Sequence, residues 1–265
     1  MKTVRTIVEV RDLLQPLRPH APIGLVPTMG AFHAGHIALF RAARAESDPV
    51  VASLFVNPIQ FGDPADLAAY PRDETSDARL AEESGVDVLF APAVDEMFPP
   101  GHATWIEIEG AARGLEGDHR PGHFRGVATV CVKLFTIVGP RVAFFGQKDA
   151  QQVAVVKQVV RDLNLDLTIR IVATVRDADG LALSSRNVRL SPADRERARA
   201  IPRAIEAGLE AHRMGRDAVA AARAALGSLQ SDYVGIAHFD GRPTLAIAAR
   251  VGGTRLIDNV PLNER

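Results

Sequence analysis

The stretch that decides the fold is VPTMGAFHAGHIALF, residues 26–40. An apolar strand ends here in a glycine, Gly30, and two histidines, His33 and His36, before a helix begins. Gly30 allows a tight turn and close approach by a ligand. The helix opening at Gly35 and His36 offers free N–H groups and a positive dipole end to a phosphate. Because the histidines are three residues apart, both rings can face one spot, which favours phosphate binding.

Two alternatives stand beside this interpretation of the histidines. Each ring alone could be an ordinary surface or core histidine with its hydrogen bonds satisfied. Together His33 and His36 could bind a metal ion, but the sequence places no third ligand nearby.

Strands and helices alternate through the first two thirds of the chain. The predicted strands are PIGLV, VVASLFV, DVLFAP, RVAFFG and DLTIRIVATV. The predicted helices are residues 35–45, SDARLAEESG, RGVATVCVKLFTIV and DAQQVAVVKQVVRDLN, although the β-branched content of the third also allows a strand. This alternation predicts an α/β fold with a Rossmann-like parallel sheet covered on both faces.

The composition changes near residue 190. Ser191 followed by Pro192 and Asp194 is a good helix start, and Ala/Arg-rich helical sequence continues to about Leu229. Three short strands, VGIAHF, TLAIAAR and TRLIDN, follow. We therefore expect a larger domain over residues 1–175 and a smaller helix-plus-antiparallel-sheet domain over residues 176–265.

Composition limits the kinds of partner. The formal net charge of -1 gives no general reason to expect nucleic acid or an anionic membrane as partner. No apolar run approaches the ~20 residues that span a bilayer, and charges interrupt the first twenty residues, so we expect no signal peptide. The single cysteine, Cys131, suits a reducing cytoplasm and is expected to be a small buried hydrophobic residue rather than a nucleophile.

A second strand end carries polar residues in FFGQKDAQQ, residues 144–152. Lys148 is one of four lysines among 31 basic residues, so its place at a strand-to-helix turn suits a polyphosphate. Asp149 could cap the helix or bind a ribose with about equal weight. Gln152, one turn into the helix, would on its own be a solvated residue.

Two further stretches are weaker by themselves. In GLALSSRNVRL, the side chains of Ser184, Ser185 and Arg186 could form a flexible anion clamp, although Ser-rich loops are common. In FVNPIQFG, Asn57 and Pro58 stop a strand, and Gln60 could point its amide over the sheet edge. A plain turn is the simpler interpretation of that second stretch.

Taken together, these stretches resemble the nucleotidyltransferase superfamily that includes class I aminoacyl-tRNA synthetases, and within it the pantothenate synthetase (pantoate–β-alanine ligase) family. The resemblance covers nearly the whole chain and adds the blocks YPRD, EGDHRPGHFRGV, TVRDADGLALSSRN and RLIDN. The chain departs from the family pattern at Ala34 and Gln147, where glutamate is usual, and in a segment between Tyr233 and Leu245 that is shorter than in relatives.

The resemblance implies a two-step reaction with Mg-ATP. The carboxylate of D-pantoate attacks the α-phosphate, giving pantoyl adenylate and pyrophosphate, and β-alanine then releases pantothenate and AMP. A carboxylate with a pKa near ~4 is ionised at neutral pH, so the first step needs alignment and charge neutralisation rather than a general base.

The resemblance also implies site residues. His36, His33 and Lys148 would be catalytic, with His36 as proton donor and Lys148 as the main phosphate cation. Gln60 and Gln152 would bind pantoate, and Gln60 would also neighbour β-alanine. The residues implied to bind ATP are Met29, Gly30, Ala31, Phe32, His33, Ala34, Gly35, His36, Gly146, Gln147, Lys148, Asp149, Val175, Leu183, Ser184, Ser185 and Arg186.

By the same resemblance residues 1–175 would bind ATP and pantoate, residues 176–265 would form a lid, and the protein would be a cytoplasmic homodimer. No direct Mg²⁺ ligand can be named from the sequence, since ATP oxygens and water can hold the ion. Two other functions stay open. One is a transferase that adenylylates a phosphorylated acceptor, which would want extra basic residues where the acceptor binds. The other is a non-catalytic nucleotide-binding module.

Overall fold

A computed structural model describes residues 1–239 and 241–262 of the chain, which form two compact units. The first unit comprises Met1–Gly146 and Val155–Val172. The second comprises Gln147–Ala154 and the described residues from Ala173 onward.

The first unit contains a six-stranded parallel sheet in the order β1-β4-β3-β2-β5-β6. Its strands are β1 (Lys2–Val4), β2 (Gly24–Thr28), β3 (Val50–Leu54), β4 (Val88–Phe90), β5 (Val142–Gly146) and β6 (Thr168–Val172). From β2 the chain adds β3 and β4 on one side and later β5 and β6 on the other. The strand order therefore reverses between β2 and β5, where ligands bind in open α/β sheets, beyond the carboxyl ends of the strands.

Helices connect the strands of this sheet. They are α1 (Ile7–Leu14), α2 (Ala34–Glu46), α3 (Pro64–Ala68), α4 (Glu74–Glu83), α5 (Val94–Met97), α6 (Glu116–His119), α7 (His123–Val138) and α8 (Ala150–Asp162), the last of which begins in the second unit. On one face, Val26, Ala52 and Leu89 pack with Phe40 of α2 and Ala81 of α4.

The opposite face is buried as well. Side chains alternate between the faces of a strand, and Leu25, Val51 and Ala143, the sequence neighbours of residues on the first face, are fully buried. Helix α7 contacts β2 and packs against α1 on this side. The α/β sheet with both faces covered, predicted from the strand and helix pattern, is thus confirmed.

The stretch RGVATVCVKLFTIV forms helix α7, which settles the alternative left open by its β-branched residues. Its helix-spaced apolar residues are buried on most sides, and this burial outweighs the strand preference of valine and threonine. Cys131 lies on this helix, 3% exposed, as the small buried residue that we expected.

Two elements at the start of the chain, β1 and α1, are absent from the sequence prediction. Strand β1 has three residues, of which only Val4 is buried, so it gives almost no pattern. Strand β6 ends at Val172, earlier than the predicted DLTIRIVATV, because it is an edge strand whose side chains are exposed or half-buried.

The second unit packs helices on a three-stranded antiparallel sheet in the order β7-β8-β9. Its elements are α9 (Pro192–Ala198), α10 (Ala200–Arg213), α11 (Ala218–Leu226), β7 (Gln230–Phe239), β8 (Arg242–Val251) and β9 (Thr254–Pro261). As predicted, Ser191 caps α9, and its side chain accepts a hydrogen bond from the Asp194 amide at 3.1 Å. The segment expected to be shorter than in relatives falls on parts of β7 and β8, and its residue Asp240 lies outside the described residues.

Candidate functional site

The loop between β2 and α2 bears the two histidines of the opening stretch. The His33 ring caps α2: its Nδ1 accepts a hydrogen bond from the Gly35 amide at 3.1 Å. The His33 amide in turn donates to Nδ1 of His36 at 3.3 Å. The ring centroids of His33 and His36 lie 4.3 Å apart, so the two imidazoles face one spot, as their spacing predicted.

These hydrogen bonds define the proton positions on the two rings. An Nδ1 that accepts a hydrogen bond carries no proton, so each neutral ring is protonated at Nε2. Nε2 is thus the atom through which either histidine can donate to an anion. A side chain at position 35 would place its Cβ 2.8 Å from the His33 ring, so glycine is required for the ring to lie over the start of α2.

The expected set of free amides at the start of α2 needs correction. The Gly35 amide donates to the His33 ring, and the His36 amide donates to the His33 carbonyl at 2.8 Å. Both N–H groups are satisfied within the first turn of α2, because His33 at the cap position accepts one through its ring and the other through its carbonyl. The helix contributes its positive dipole end, and the imidazoles contribute the directed donors.

Gln60 lies beside this loop in the same unit. It belongs to a 3-10 turn, Pro58–Gln60, and is 7% exposed. Its Nε2 lies 3.0 Å from Sδ of Met29, and its Oε1 accepts a hydrogen bond from Nδ2 of Asn57 at 2.9 Å. Asn57 therefore fixes which end of the Gln60 amide points towards Met29.

Charged groups pack beneath Gln60. Arg120 lies 3.0 Å from Nε2 of His123, and because arginine only donates, that nitrogen is the acceptor. The Nδ1–H of His123 then donates to the Gln60 carbonyl at 2.9 Å. The Arg120 charge is partly compensated by buried Glu116, 3.6 Å away. The neutral imidazole of His123, held by Arg120, thus binds the backbone carbonyl of Gln60.

The turn that carries Lys148 follows β5 directly and belongs to the second unit. Gln147–Asp149 form a 3-10 turn, and Lys148 lies 3.6 Å from the Asp149 carboxylate. Asn259 of β9 holds this turn: its Nδ2 donates to the carbonyls of Gln147 and Lys148, and its Oδ1 accepts from Nε2 of Gln147. Gln147 can make this last bond because an amide donates, whereas the glutamate that the resemblance leads us to expect there could not.

An ion pair with β9 holds the loop that precedes the Ser-Ser-Arg stretch. Asp258, 2% exposed, accepts two hydrogen bonds from Arg176 at 2.6 and 2.9 Å. The Asp258 carboxylate and its hydrogen bond hold the pKa of the Arg176 guanidinium above its usual value. The Val175 carbonyl accepts from the Leu183 amide at 3.0 Å, so at least part of its hydrogen-bonding capacity is used within the loop.

The Ser-Ser-Arg stretch itself begins a 3-10 helix, Ser185–Arg189. Ser184 caps it, and its hydroxyl accepts from the Arg186 amide at 3.3 Å. Ser185 and Arg186 are half-buried rather than fully exposed. Gln152 is also half-buried, in the first turn of α8.

Within each unit, part of the expected set of residues is in contact. In the first, residues 29–36 and Gln60 meet near the carboxyl end of β2, beside β5, whose last residue is Gly146. In the second, Gln147–Asp149 join β9, and Val175 joins Leu183.

Five residues in supporting positions have no place among the predicted site residues. Asn57, His123, Asp258 and Asn259 lie in sequence blocks noted for the resemblance, but their roles depend on contacts distant in sequence. Asp77 is different: its carboxylate accepts hydrogen bonds from the amides of Ala31 and Phe32. Its only sequence signal is an acidic side chain one turn before buried Ala81 of α4.

No dedicated metal site is visible in the described part of the chain, where His, Cys, Asp and Glu side chains form no group of three able to hold an ion. Within residues 1–239 and 241–262, no helix combines the length and apolar character needed to cross a bilayer.

Residues 2–261 match the family model described as pantoate-beta-alanine ligase. Among curated relatives, the pantothenate synthetases of Moorella thermoacetica and Rhizorhabdus wittichii are 48% and 49% identical, with 99% and 98% of both chains covered.

Solved structures agree with these relatives. The crystal structure of pantothenate synthetase from Thermus thermophilus matches the whole chain with a TM-score of 0.94 and 45% identity, and all of that chain is covered. The pantoate-beta-alanine ligase from Francisella tularensis, complexed with beta-gamma ATP and beta-alanine, matches with a TM-score of 0.85 and 34% identity. That match covers 99% of this chain and 98% of the other.

Proposed function

The chain belongs to the pantoate–β-alanine ligase family, and we propose that it joins D-pantoate to β-alanine with ATP through a pantoyl-adenylate intermediate. In the first step a pantoate carboxylate oxygen bonds to the α-phosphorus, and the bond to pyrophosphate breaks. In the second step the β-alanine nitrogen bonds to the acyl carbon, the acyl–phosphate oxygen bond breaks, and AMP leaves as the nitrogen loses a proton.

The observation that carries this proposal is the pairing of two imidazoles with a neutral amide in the first unit. His33 and His36 offer Nε2 donors to phosphate oxygens, and Gln60 lies against Met29 of the same loop. An amide both donates and accepts, so it suits the hydroxyls and carboxylate of pantoate without adding charge. A phosphorylated acceptor would instead call for uncompensated basic side chains, and Arg120 near Gln60 is partly compensated by Glu116.

The remaining roles follow from the resemblance and the local geometry. Residues 29–36, with Gly146 and Gln147–Asp149, would bind ATP, and Lys148 would neutralise its phosphates. Val175 would lie near the adenine, and Leu183–Arg186 would contact the phosphates. Gln152 would join Gln60 in binding pantoate, and Gln60 would also neighbour β-alanine. His36 would act as the proton donor.

Mg²⁺ would enter with ATP. Imidazole, amide, ammonium and hydroxyl groups predominate among the proposed site residues, and Asp149 is the one carboxylate among them. That donor set suits an ion held mainly by phosphate oxygens and water, so the chain's contribution is to neutralise and orient the phosphates.

We further propose that residues 1–175 bind ATP and pantoate, that residues 176–265 act as a lid, and that the protein is a cytoplasmic homodimer. Light scattering on the purified protein measures the oligomeric state directly.

Exchange of labelled pyrophosphate into ATP tests the reaction. We expect exchange with pantoate and without β-alanine, and none when pantoate is omitted. AMP should accumulate only after β-alanine is added, because the intermediate must be kept from water. A requirement for β-alanine in the exchange would contradict the two-step mechanism. Exchange supported only by a phosphorylated compound would indicate the other transferase class, and no exchange would indicate a binding module.

Two variants connect this reaction to the site. His36→Ala and Lys148→Ala should each slow the exchange by roughly 10²–10³, the scale for losing one preorganised charge-stabilising group. His20→Ala, which removes an exposed imidazole, is the control and should exchange at the wild-type rate. Near-normal exchange by folded His36→Ala would contradict the role given to that ring.

A further inference from the structure

Asp77 is an acidic side chain buried beneath the histidine loop. It lies in the first turn of α4 and is 3% exposed. Its Oδ2 accepts a hydrogen bond from the Ala31 amide at 2.8 Å, and its Oδ1 accepts one from the Phe32 amide at 2.7 Å. Burial raises the pKa of the Asp77 carboxyl above its usual value, and the two amide hydrogen bonds oppose the rise. A buried carboxylate is costly, so its position requires an explanation.

The loop bound by Asp77 has an unusual backbone. Gly30 has a φ of +85° and Ala31 a φ of +54°, both in the left-handed region. Glycine adopts this region freely, whereas alanine meets a steric penalty there. A Cβ at position 30 would also lie 2.9 Å from Oδ2 of Asp77, so the glycine allows the carboxylate its close approach.

The two histidines follow this loop directly. Phe32, whose amide Asp77 binds, packs its ring against Phe40 at 5.1 Å and against His36 at 5.2 Å. His33 is the next residue and caps α2. The path of the backbone through Ala31 and Phe32 therefore determines where the imidazole pair begins.

We propose that Asp77 is a positioning residue for catalysis, which holds the Gly30–Phe32 backbone in its left-handed turn and so places the rings of His33 and His36. Asp77 acts through the loop amides and touches no reacting atom. The inference rests on the proposed function, because that function places ATP phosphates against the two rings.

Asp77→Asn tests the inference with little change in size. One asparagine oxygen can accept from one loop amide, but its NH₂ group then faces the other amide and cannot accept. We expect kcat/KM for ATP in pyrophosphate exchange to fall by ~10², the scale for a small misplacement of catalytic groups. The KM for pantoate should change far less, because Gln60 is held by Asn57 and His123.

A control separates positioning from stability. Ala81→Gly alters the same helix at a fully buried position that belongs to the packed core. It should lower Tm, because glycine weakens a helix interior, and leave the kinetics of the folded protein unchanged. If Asp77→Asn behaves in the same way, losing Tm while keeping kcat/KM for ATP, Asp77 is a structural residue and the inference is wrong.

Ala31→Gly supplies a second, independent test. Glycine pays no penalty at φ +54°, so the loop should need Asp77 less. We expect Asp77→Asn to reduce kcat/KM for ATP by only about tenfold in the Ala31→Gly background, against ~10² in the wild type, which is a coupling of the kind that contacting residues show. Fully multiplicative effects of the two substitutions would contradict action through this loop.

The inference and the proposed function can fail separately. Wild-type protein without pantoate-dependent exchange would overturn the function. The affinity for a non-hydrolysable ATP analogue, measured by calorimetry, would then decide the role of Asp77. Asp77→Asn should weaken that affinity about tenfold relative to wild type and to Ala81→Gly, since misplaced rings lose contacts worth that factor. An unchanged affinity would overturn the inference.

Discussion

The side chain of Gln60 has its orientation fixed by neighbours on two sides. Asn57 donates to its Oε1, and its Nε2 is directed towards Sδ of Met29. The amide can therefore present a defined donor and acceptor to a bound hydroxy acid.

Gln60→Ala should raise the KM for pantoate far more than the KM for ATP, because it removes ground-state binding of a single substrate. Gln158→Ala is the matched control, since Oε1 of Gln158 accepts a structural hydrogen bond from the Ala111 amide. It should lower Tm and leave both KM values unchanged. Equal effects of Gln60→Ala on both substrates would indicate that Gln60 supports the fold instead.

Cys131 gives a prediction about reactivity. Burial raises the pKa of its thiol to about 12, so only about 10⁻⁴ of it would be thiolate at a pH of about 8. We expect native protein to resist iodoacetamide at that pH and to take up one equivalent when unfolded in urea, since the chain has one cysteine. Rapid alkylation without unfolding, followed by mass spectrometry, would show that this part of α7 opens readily.

Among the elements, α7 and the Pro58–Gln60 turn pack so closely that a glycine lies between them. A Cβ on Gly126 would lie 2.7 Å from the Ile59 carbonyl and 2.8 Å from the Gln60 backbone. Neither backbone group can move without carrying Gln60 with it. The glycine carbonyl also accepts a hydrogen bond from Asn57 at 3.1 Å.

Gly126→Ala should therefore displace the turn and raise the KM for pantoate, and it should lower stability by ~1–3 kcal/mol through overpacking. The gain in helix propensity, about 1 kcal/mol, offsets part of that loss. Thr136→Ala on an exposed position of the same helix should leave the pantoate KM unchanged and raise stability by at most ~0.7 kcal/mol, the gain in helix propensity. Steady-state kinetics measures the pantoate KM, and urea unfolding measures the stability. A Gly126→Ala protein that is more stable than wild type and has an unchanged pantoate KM would rule out the close packing.

At the scale of the whole molecule, the two compact units have separate hydrophobic cores. The core of the first includes Phe40, Phe144 and Val26, and that of the second includes Ile201, Leu245 and Ile247. A destabilising substitution should therefore lower stability mainly in the unit that contains it. Arg176 and Asp258, both in the second unit, allow a test.

Arg176→Ala should destabilise the second unit by ~3 kcal/mol, because it leaves the buried Asp258 carboxylate uncompensated. Adding Asp258→Asn should restore much of the loss, since no buried charge then remains without a partner. Hydrogen exchange should show lost protection in residues 173–239 and 241–262 and little change in β2, β3 and β5. Equal loss in both units would show that they unfold as one.

The sequence by itself determined the α/β class, the family and most strand and helix positions. Each of these depends on local pattern: apolar runs define strands, helix-spaced apolar residues define α7 and α8, and turn residues mark the ends. The opening stretch also fixed the His33–His36 pair, because three-residue spacing on a helix start brings side chains to one face without any distant contact.

Only the tertiary structure decided which groups support those residues. Asp77 lies more than forty residues from the loop it binds, and Asn259 lies 111 residues from Lys148. A hydrogen bond over such a separation leaves no periodic trace in the sequence, since it depends on how distant elements fold together. The strand order, with its reversal between β2 and β5, is likewise a choice among long-range pairings that the local pattern of each strand satisfies equally well.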